Sequence, residues 1–182
     1  MDKQTDSEIL QLFRDENSRN YGFNLLVKKY QQPLYFHIRR LVIDHDDTDD
    51  LVQNTFIKIF QNLEGFREDS KLYTWIYRIA TNEALAFLKS KRSKFFLPIV
   101  DVESKLSNSL IDDNYYSGDE IQMKLEKAIL TLPEKQRLVF NMKYYNEMKY
   151  EDMADVLGTS VGALKASFHI AVKKIEEIIK QN

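Results

Sequence analysis

Apolar residues recur along this chain at intervals of three and four positions, the spacing that gathers them on one face of an α-helix. Asp6 and Ser7 are expected to cap a first helix. A second helix is expected over residues 21–30, and Pro33 suits the first turn of a third over residues 34–42. The pattern therefore predicts an all-α protein with almost no sheet.

A run of aspartates precedes the next predicted helix, which covers residues 51–63. Asp46 or Asp47 is expected to cap this helix. Asp49 and Asp50 would then lie in its first turn, where the helix dipole favours negative charge. Its buried stripe is predicted to contain Val52, Phe56, Ile59 and Leu63. Its outer side is predicted to carry Asp49, Gln53, Asn54 and Gln61.

The aspartate run also resembles the start of an EF-hand calcium loop, since oxygen-bearing side chains alternate at Asp44, Asp46, Thr48 and Asp50. Such a loop has glycine at its sixth position and glutamate at its twelfth. This chain has Asp49 and Thr55 at those positions. Helix capping and a surface for a partner are therefore favoured over metal binding.

The helix predicted over residues 71–91 has a basic face beside its apolar one. Residues on the basic face follow one another at spacings of three, four or seven, namely Trp75, Arg78, Asn82, Lys89 and Arg92. The tryptophan is either a core residue or a ring that supports an unstacked base. The basic end of the helix either complements the helix dipole in solvent or contacts phosphates.

Residues 134–174 have the pattern of a DNA-binding helix-turn-helix. Ala154 is small enough for two helices to approach closely, Gly158 permits a left-handed turn, and Ser160 can cap the following helix. The outward residues of that helix would face a major groove, namely Ser160, Ala163, Lys165, Ser167, His169 and Lys173. A helical hairpin that only packs is the alternative interpretation.

Composition narrows the function classes further. The 182 residues include five glycines, three prolines and no cysteine, which excludes disulfides and thiolate metal sites. No nucleophile and base pair, glycine-rich phosphate loop or zinc motif is present, so an enzyme is disfavoured and neither a cofactor nor a metal is expected. An apolar signal region and a run long enough to span a bilayer are also missing. A soluble, cytoplasmic protein is therefore expected.

The charges of the chain are segregated. The net charge of −2 is unusual for a DNA-binding protein. However, acids concentrate at residues 44–50 and 101–120, and bases at residues 71–94 and 165–174. This distribution predicts basic surfaces for nucleic acid and acidic surfaces for another partner. Residues 98–119, with many serines and asparagines, are predicted to be a linker.

Three ordered segments make the chain resemble a group IV, or extracytoplasmic function (ECF), sigma factor of bacterial RNA polymerase, within the sigma-70 family. Residues 49–56, DDLVQNTF, are similar to the family's acidic core-binding motif. Residues 66–82, FREDSKLYTWIYRIATN, resemble its promoter-melting and minus-ten-reading segment. Residues 132–168 resemble its fourth region, which reads the minus-thirty-five element. Together these segments span nearly the whole chain.

The resemblance implies a sigma factor that binds core RNA polymerase and directs promoter recognition, melting and transcription initiation. It implies a region 2 domain over residues 1–95, a linker over 96–119 and a region 4 domain over 120–182. The polymerase contacts would be Asp49, Asp50, Gln53 and Asn54. The promoter DNA contacts of the first domain would be Asp69, Ser70, Trp75, Arg78, Asn82, Lys89 and Arg92.

The resemblance also implies an anti-sigma factor as a partner, often one in the membrane. The linker would thread into the polymerase, where its acids would occupy a channel that otherwise holds RNA; these acids are Asp101, Glu103, Asp112 and Asp113. A solvated tether is the alternative. The family often has arginines where this chain has Ser167 and Ile170. The rival functions are a stand-alone helix-turn-helix regulator and a helical adaptor that binds only protein.

Overall fold

The computed structural model describes residues 4–95 and 120–181, and within these two ranges all regular structure is helical. The first range contains α1 (Asp6–Arg14), α2 (Arg19–Val42), α3 (His45–Asn62), a 3-10 turn (Leu63–Gly65) and α4 (Leu72–Phe95). The second contains α5 (Glu120–Leu130), α6 (Glu134–Tyr144), α7 (Tyr150–Leu157) and α8 (Val161–Gln181). The all-α prediction is confirmed, whereas the linker and its acidic residues lie outside the described residues.

The cap predicted for α1 is wrong by one or two residues. Thr5, rather than Asp6 or Ser7, is the N-cap residue. Its hydroxyl oxygen accepts a hydrogen bond from the backbone amide of Glu8. The Glu8 carboxylate accepts the amide of Thr5 in return. This reciprocal capping box satisfies two amide donors that the first turn would leave unpaired, whereas a cap at Asp6 would satisfy only one.

The separate helices predicted around Pro33 are a single helix, α2, of 24 residues. Pro33 has an exposed side chain, so the carbonyl that loses its amide partner there lies on the solvent side of the helix. The buried stripe from Leu26 through Tyr30 and Leu34 to Ile38 continues across the proline. Continuous burial of this face outweighs the local cost of proline, which the sequence pattern alone overestimated.

The beginning of α3 also differs from the prediction. Asp44 caps the helix by accepting the amide of Asp47, so Asp46 and Asp47 lie in the first turn rather than at the cap. Asp49 and Asp50 consequently lie one turn further along. The helix begins early because the Thr48 side chain is fully buried and donates its hydroxyl to the Asp44 carbonyl.

Helices α1 to α4 share one apolar core, and a glycine fixes how closely α1 and α2 approach. Phe13, Leu26, Leu34, Ile59 and Ile76 are all at most 1% exposed within this core. A Cβ at Gly22 would lie 2.6 Å from the backbone nitrogen of Phe13. Any side chain at that position would therefore force the two helices apart.

Helices α6, α7 and α8 form the predicted helix-turn-helix, with α5 packed behind α8. Gly158 ends α7 in the left-handed conformation, at φ 62 and ψ 36, as predicted. Ser160 accepts the amide of Ala163 at 3.2 Å and so caps α8, also as predicted. Leu164 is buried, and Phe168 stacks on Phe140 with ring centroids 5.7 Å apart. These contacts direct the opposite face of α8 outward.

Candidate nucleic-acid and partner interfaces

One face of α3 is acidic and open. Asp49, Asp50, Gln53 and Asn54, the predicted polymerase contacts, are all exposed on it. The next helical turn of this face carries Ile57, whose side chain is 54% exposed. Ile57 was predicted neither for the buried stripe nor for the outer side of this helix. Its spacing of four from Gln53 and seven from Asp50 was the available signal.

The basic face of α4 begins beside the short segment that contains Asp69 and Ser70. Trp75 is half-buried, and its ring lies 5.2 Å from that of Phe66. Asn82 and Lys89 are exposed further along the helix. Arg92 lies in the last turns of α4, at a position whose side chain is outside the described part. Four of the residues predicted for this face, from Trp75 to Lys89, thus share one side of one helix.

Helix α7 of the second domain lies against this basic face. Arg78 donates from Nε and Nη2 to the backbone carbonyl of Asp155, at 3.0 and 2.7 Å. The ammonium of Lys71 lies 2.8 Å from a carboxylate oxygen of Asp152. Neither acid was singled out in the sequence, because a contact between residues about 80 positions apart leaves no periodic signal.

A second set of contacts joins the two domains beyond α7. His37 of α2 is 1% exposed and bonds through Nδ1 to the amide oxygen of Asn146, at 3.1 Å. The guanidinium of Arg40 lies 3.9 Å from the ring centroid of Tyr145. Tyr145 in turn donates its hydroxyl to Glu126 at 2.7 Å. Burial raises the pKa of that glutamate, while the Tyr145 bond acts against the rise.

The outward face of α8 carries most of the side chains predicted to face DNA. Ala163, Lys165, His169 and Lys173 are exposed, and Ser167 is half-buried. Ser160 is exposed but its hydroxyl is engaged by the amide of Ala163. The ammonium of Lys165 lies 5.7 Å from the centroid of the Tyr150 ring. The face is therefore modestly basic, and short side chains separate its cations.

Comparison with known families identifies both helical units. Residues 26–94 match the model of Sigma-70 region 2, and residues 122–175 match that of Sigma-70, region 4. The RNA polymerase sigma-H factor of Pseudomonas aeruginosa is 31% identical over 169 residues, which cover 87% of this chain and 86% of that protein. The chain belongs to the sigma-70 family of RNA polymerase sigma factors.

Other relatives give the sigma factor its subclass. The ECF RNA polymerase sigma-E factor of Haemophilus influenzae is 28% identical, with 97% of this chain and 96% of the relative covered. The sigma-E factor of Escherichia coli K12 is also 28% identical, with 99% and 97% covered. The protein is thus an ECF sigma factor, which acts with RNA polymerase in promoter recognition and transcription initiation.

Two solved structures share the fold of this sigma factor. CnrH, in complex with the cytosolic domain of CnrY, superposes with a TM-score of 0.72 at 20% identity, covering 100% of this chain and 99% of that one. The sigma factor RpoE, in complex with the anti-sigma factor NepR from Bartonella quintana, gives 0.68 at 21% identity, with 87% and 96% covered. The helical architecture is therefore shared with both solved structures.

Two further features of the sigma factor concern metals and membranes. Across residues 4–95 and 120–181, no three histidines or acids are grouped as metal ligands would be. Asp44, the first residue of the EF-hand-like pattern, caps α3, and its carboxylate accepts a hydrogen bond from the backbone amide of Asp47. Among the same residues, no helix has both the length and the apolar character needed to cross a membrane.

Proposed function

We propose that this sigma factor divides its work among three surfaces: α3 binds core RNA polymerase, α4 engages the melted minus-ten element, and α8 reads the minus-thirty-five element. One observation carries this division. The acidic face of α3 and the basic face of α4 belong to the same domain, while a helix-turn-helix with an open outward face forms the other. The corresponding domain boundaries are residues 1–95, 96–119 and 120–182.

The polymerase surface combines charge with an apolar centre. Asp49, Asp50, Gln53 and Asn54 form a polar rim, and Ile57 supplies exposed apolar area beside it. Interfaces gain most of their free energy from a few apolar or aromatic anchors inside a polar rim. The complementary surface on the polymerase would therefore be basic around an apolar pocket.

The minus-ten surface is the basic, aromatic side of α4. Asp69 and Ser70 precede the helix, where a base flipped from the nontemplate strand would be received. The half-buried Trp75 would support such a base by stacking, with Arg78 and Asn82 beside it. Lys89 and Arg92, toward the end of the helix, would contact phosphates.

The minus-thirty-five surface is the outward face of α8. Lys165 and Lys173 are exposed point charges suited to phosphates. Ser160, Ala163 and Ser167 are short, so their base contacts would be close or through water, and His169 lies between the two lysines. Because these contacts are few, the polymerase would supply affinity by holding both domains on one promoter.

The same function implies a setting and a regulator. Work with RNA polymerase requires a cytoplasmic protein that is a specificity subunit rather than an enzyme. Two structural neighbours were solved with CnrY and NepR bound, and the latter is an anti-sigma factor. We infer an anti-sigma partner for this chain, in either a soluble or a membrane-bound form. The acidic linker would enter the polymerase interior.

Transcription in vitro with purified core polymerase tests the polymerase surface. Asp50→Lys and Ile57→Ser should each lower the affinity for core about tenfold, because each removes a contact from an exposed helix face. Ile121→Ser is the matched control for Ile57→Ser, since Ile121 is 71% exposed and belongs to α5 of the other domain. Pull-down at several salt concentrations and far-ultraviolet circular dichroism would separate lost binding from lost folding.

Unchanged association of both α3 variants with core would show that α3 is not the contact. Transcription that does not depend on the added protein would contradict the sigma function altogether. The rival, a stand-alone helix-turn-helix regulator, predicts binding of its operator without polymerase. A protein-only adaptor predicts no effect on DNA in either assay.

A further inference from the structure

The segment that joins the 3-10 turn to α4, residues 66–71, contains a residue in an unusual backbone conformation. Glu68 has a φ of 61°, in the left-handed region. This region is costly for a residue with a Cβ atom, whereas glycine adopts it readily. A glutamate keeps such a conformation only where the surrounding structure holds it. This segment, the minus-ten loop, therefore needs a support from elsewhere in the chain.

Arg14, the last residue of α1, supplies this support with two hydrogen bonds. Its Nη1 donates to Oε1 of Glu68 at 2.7 Å, and its Nη2 donates to the backbone carbonyl of Phe66 at 3.1 Å. A guanidinium is planar and its donors keep a fixed spacing, so the two bonds together restrict the loop to a narrow range of arrangements. A single side chain thus holds the loop on both sides of Arg67.

A second arginine holds the 3-10 turn that precedes the loop. Arg19, the first residue of α2, donates from Nη2 to Oε2 of Glu64 at 2.9 Å. Its guanidinium carbon lies 4.7 Å from the ring centroid of Phe13, which is buried and directly precedes Arg14. The end of α1 and the start of α2 therefore hold the turn and the loop at two places.

Phe66 links the loop to the aromatic part of the minus-ten surface. Its side chain is buried, and its ring lies 5.2 Å from that of Trp75. Asp69, which is exposed, and Ser70, which is half-buried, lie between Glu68 and the start of α4. The direction of the backbone at Glu68 consequently sets where Asp69 and Ser70 lie relative to the Trp75 ring.

We infer that Arg14 is a positioning residue for recognition of the minus-ten element: it holds the loop so that Asp69 and Ser70 meet the flipped base in one geometry. This inference rests on the function proposed above and gives α1 a part in base specificity. The side chains of Arg14 and Glu68 are 43% and 51% exposed, so their ion pair contributes little to the stability of the fold. Its loss should consequently change which bases are preferred rather than whether the chain folds.

Two substitutions at Glu68 separate backbone conformation from charge. Glu68→Gly and Glu68→Ala both remove the carboxylate, but only glycine adopts a φ of 61° without a steric penalty. Glu68→Gly should therefore keep most of the base preference of the parent, whereas Glu68→Ala should reduce it. The two variants have the same net charge, so a difference between them reports on the backbone alone.

Base preference is measured by transcription in vitro from a barcoded promoter library that is randomised over both recognition elements. The holoenzyme is reconstituted from core polymerase and the full chain. Arg14→Gln should reduce the preference at neighbouring minus-ten positions about three- to tenfold, the factor that one weakened hydrogen bond represents. Preferences at the minus-thirty-five element should stay at the parental values, because the substitution leaves α8 unchanged.

Lys28→Gln is the matched control for Arg14→Gln, because Lys28 is an exposed cation on α2 and its loss changes the net charge equally. Arg14→Lys keeps the charge but not the planar pair of donors, and its preferences should lie between those of the parent and Arg14→Gln. Combining Arg14→Gln with Glu68→Gly should recover the lost preference, since glycine needs no support in this conformation. A direct contact between Arg14 and DNA would not be rescued in this way.

The loop can also be followed without DNA or polymerase. Trp75 is the single tryptophan of the chain, and its fluorescence reports on packing against Phe66. Quenching of this fluorescence by acrylamide should rise in Arg14→Gln and in Glu68→Ala. It should stay at the parental value in Lys28→Gln.

Parental base preferences and parental quenching in Arg14→Gln would overturn the inference, as would equal effects of Glu68→Ala and Glu68→Gly. The function on which the inference rests has separate readouts. An absence of transcription by the parent would refute the sigma function, and unchanged preferences in both Asp69→Ala and Ser70→Ala would refute the minus-ten role of the loop. Preferences that respond to these two variants but not to Arg14→Gln would leave the function standing and refute only the role of Arg14.

Discussion

His37 is a buried, neutral histidine at the junction of the two domains. Its Nδ1–H donates to the amide oxygen of Asn146 at 3.1 Å, and the Thr81 hydroxyl donates to Nε2 at 2.9 Å. Burial lowers the pKa of His37 from 6.5 to about 4, and the nearby Arg40 charge adds to this effect. One imidazole therefore joins polar groups from α4 and from the second domain, and its burial favours the uncharged form.

The histidine makes stability depend on pH in a known direction. Because its pKa is lowered on folding, its contribution is present above pH 6.5 and is lost as pH falls toward about 4. The full loss is on the order of 3 kcal/mol. Urea denaturation between pH 7 and 4 should therefore show that the free energy of unfolding falls less steeply with acidification for His37→Gln than for the parent.

Glu126 supplies the internal control for this measurement, since the pKa of its carboxyl is raised. A carboxyl with a raised pKa contributes stability that is present at low pH and is lost as pH rises. For Glu126→Gln, the free energy of unfolding should consequently fall more steeply on acidification than it does for the parent. Parallel curves for all three proteins would contradict both assignments.

At the scale of the element, two glycines lie near the connection from α7 to α8, and they differ in backbone conformation. Gly158 holds φ at +62°, a conformation that L side chains rarely adopt, and has nothing within 4 Å of a built Cβ. Gly162 lies inside α8 and also has open space around it. Steric room is thus the same at both positions, and only the backbone conformation differs.

The two glycines give a matched pair of substitutions with opposite signs. Gly158→Ala should destabilise the protein by about 1 kcal/mol, because alanine is strained in the left-handed region. Gly162→Ala should stabilise it by up to about 0.5 kcal/mol, because alanine loses less backbone entropy than glycine on entering the first turn of α8. Thermal and urea unfolding would check both. A loss at both positions would mean that α8 does not tolerate a methyl group at Gly162.

At the scale of the whole molecule, binding of DNA depends more on where the charges lie than on the net charge. The chain carries a net charge of −2, yet the exposed acids Asp49 and Asp50 belong to α3, whereas the exposed cations Lys165 and Lys173 belong to α8. Asp152 of α7 also pairs with Lys71, a further cation that directly precedes α4. Few strong contacts with DNA are therefore left to the isolated protein.

We expect the free protein to give no specific shift of promoter DNA at physiological salt, whereas the holoenzyme should give one. The physical reason is that the polymerase raises the effective concentration of both domains on one promoter. Lys165→Ala should weaken holoenzyme binding at all promoters without changing their order, since it removes a phosphate contact. Gel-shift titration would measure both effects, and tight specific binding by the free protein would favour a stand-alone regulator.

The local pattern of the sequence was sufficient for most of the fold. Periodic apolar residues predicted the all-α class, and the glycine and serine of the helix-turn-helix predicted its turn and cap, because these features depend on residues at most four positions apart. Polar residues on α3 were likewise predicted to be exposed, and they are. Their roles as polymerase and DNA contacts stay predictions that the variants above would test.

Tertiary packing decided what no local pattern contains. Because of this packing, α2 continues past Pro33 as one helix, since a continuous buried face outweighs one lost hydrogen bond. The packing also left Ile57 exposed, and it set Lys71 and Arg78 against α7, about 80 residues away. Short-range periodicity determines which side of a helix is apolar, but the partner of each side depends on contacts distant in sequence, and these exist only in the folded chain.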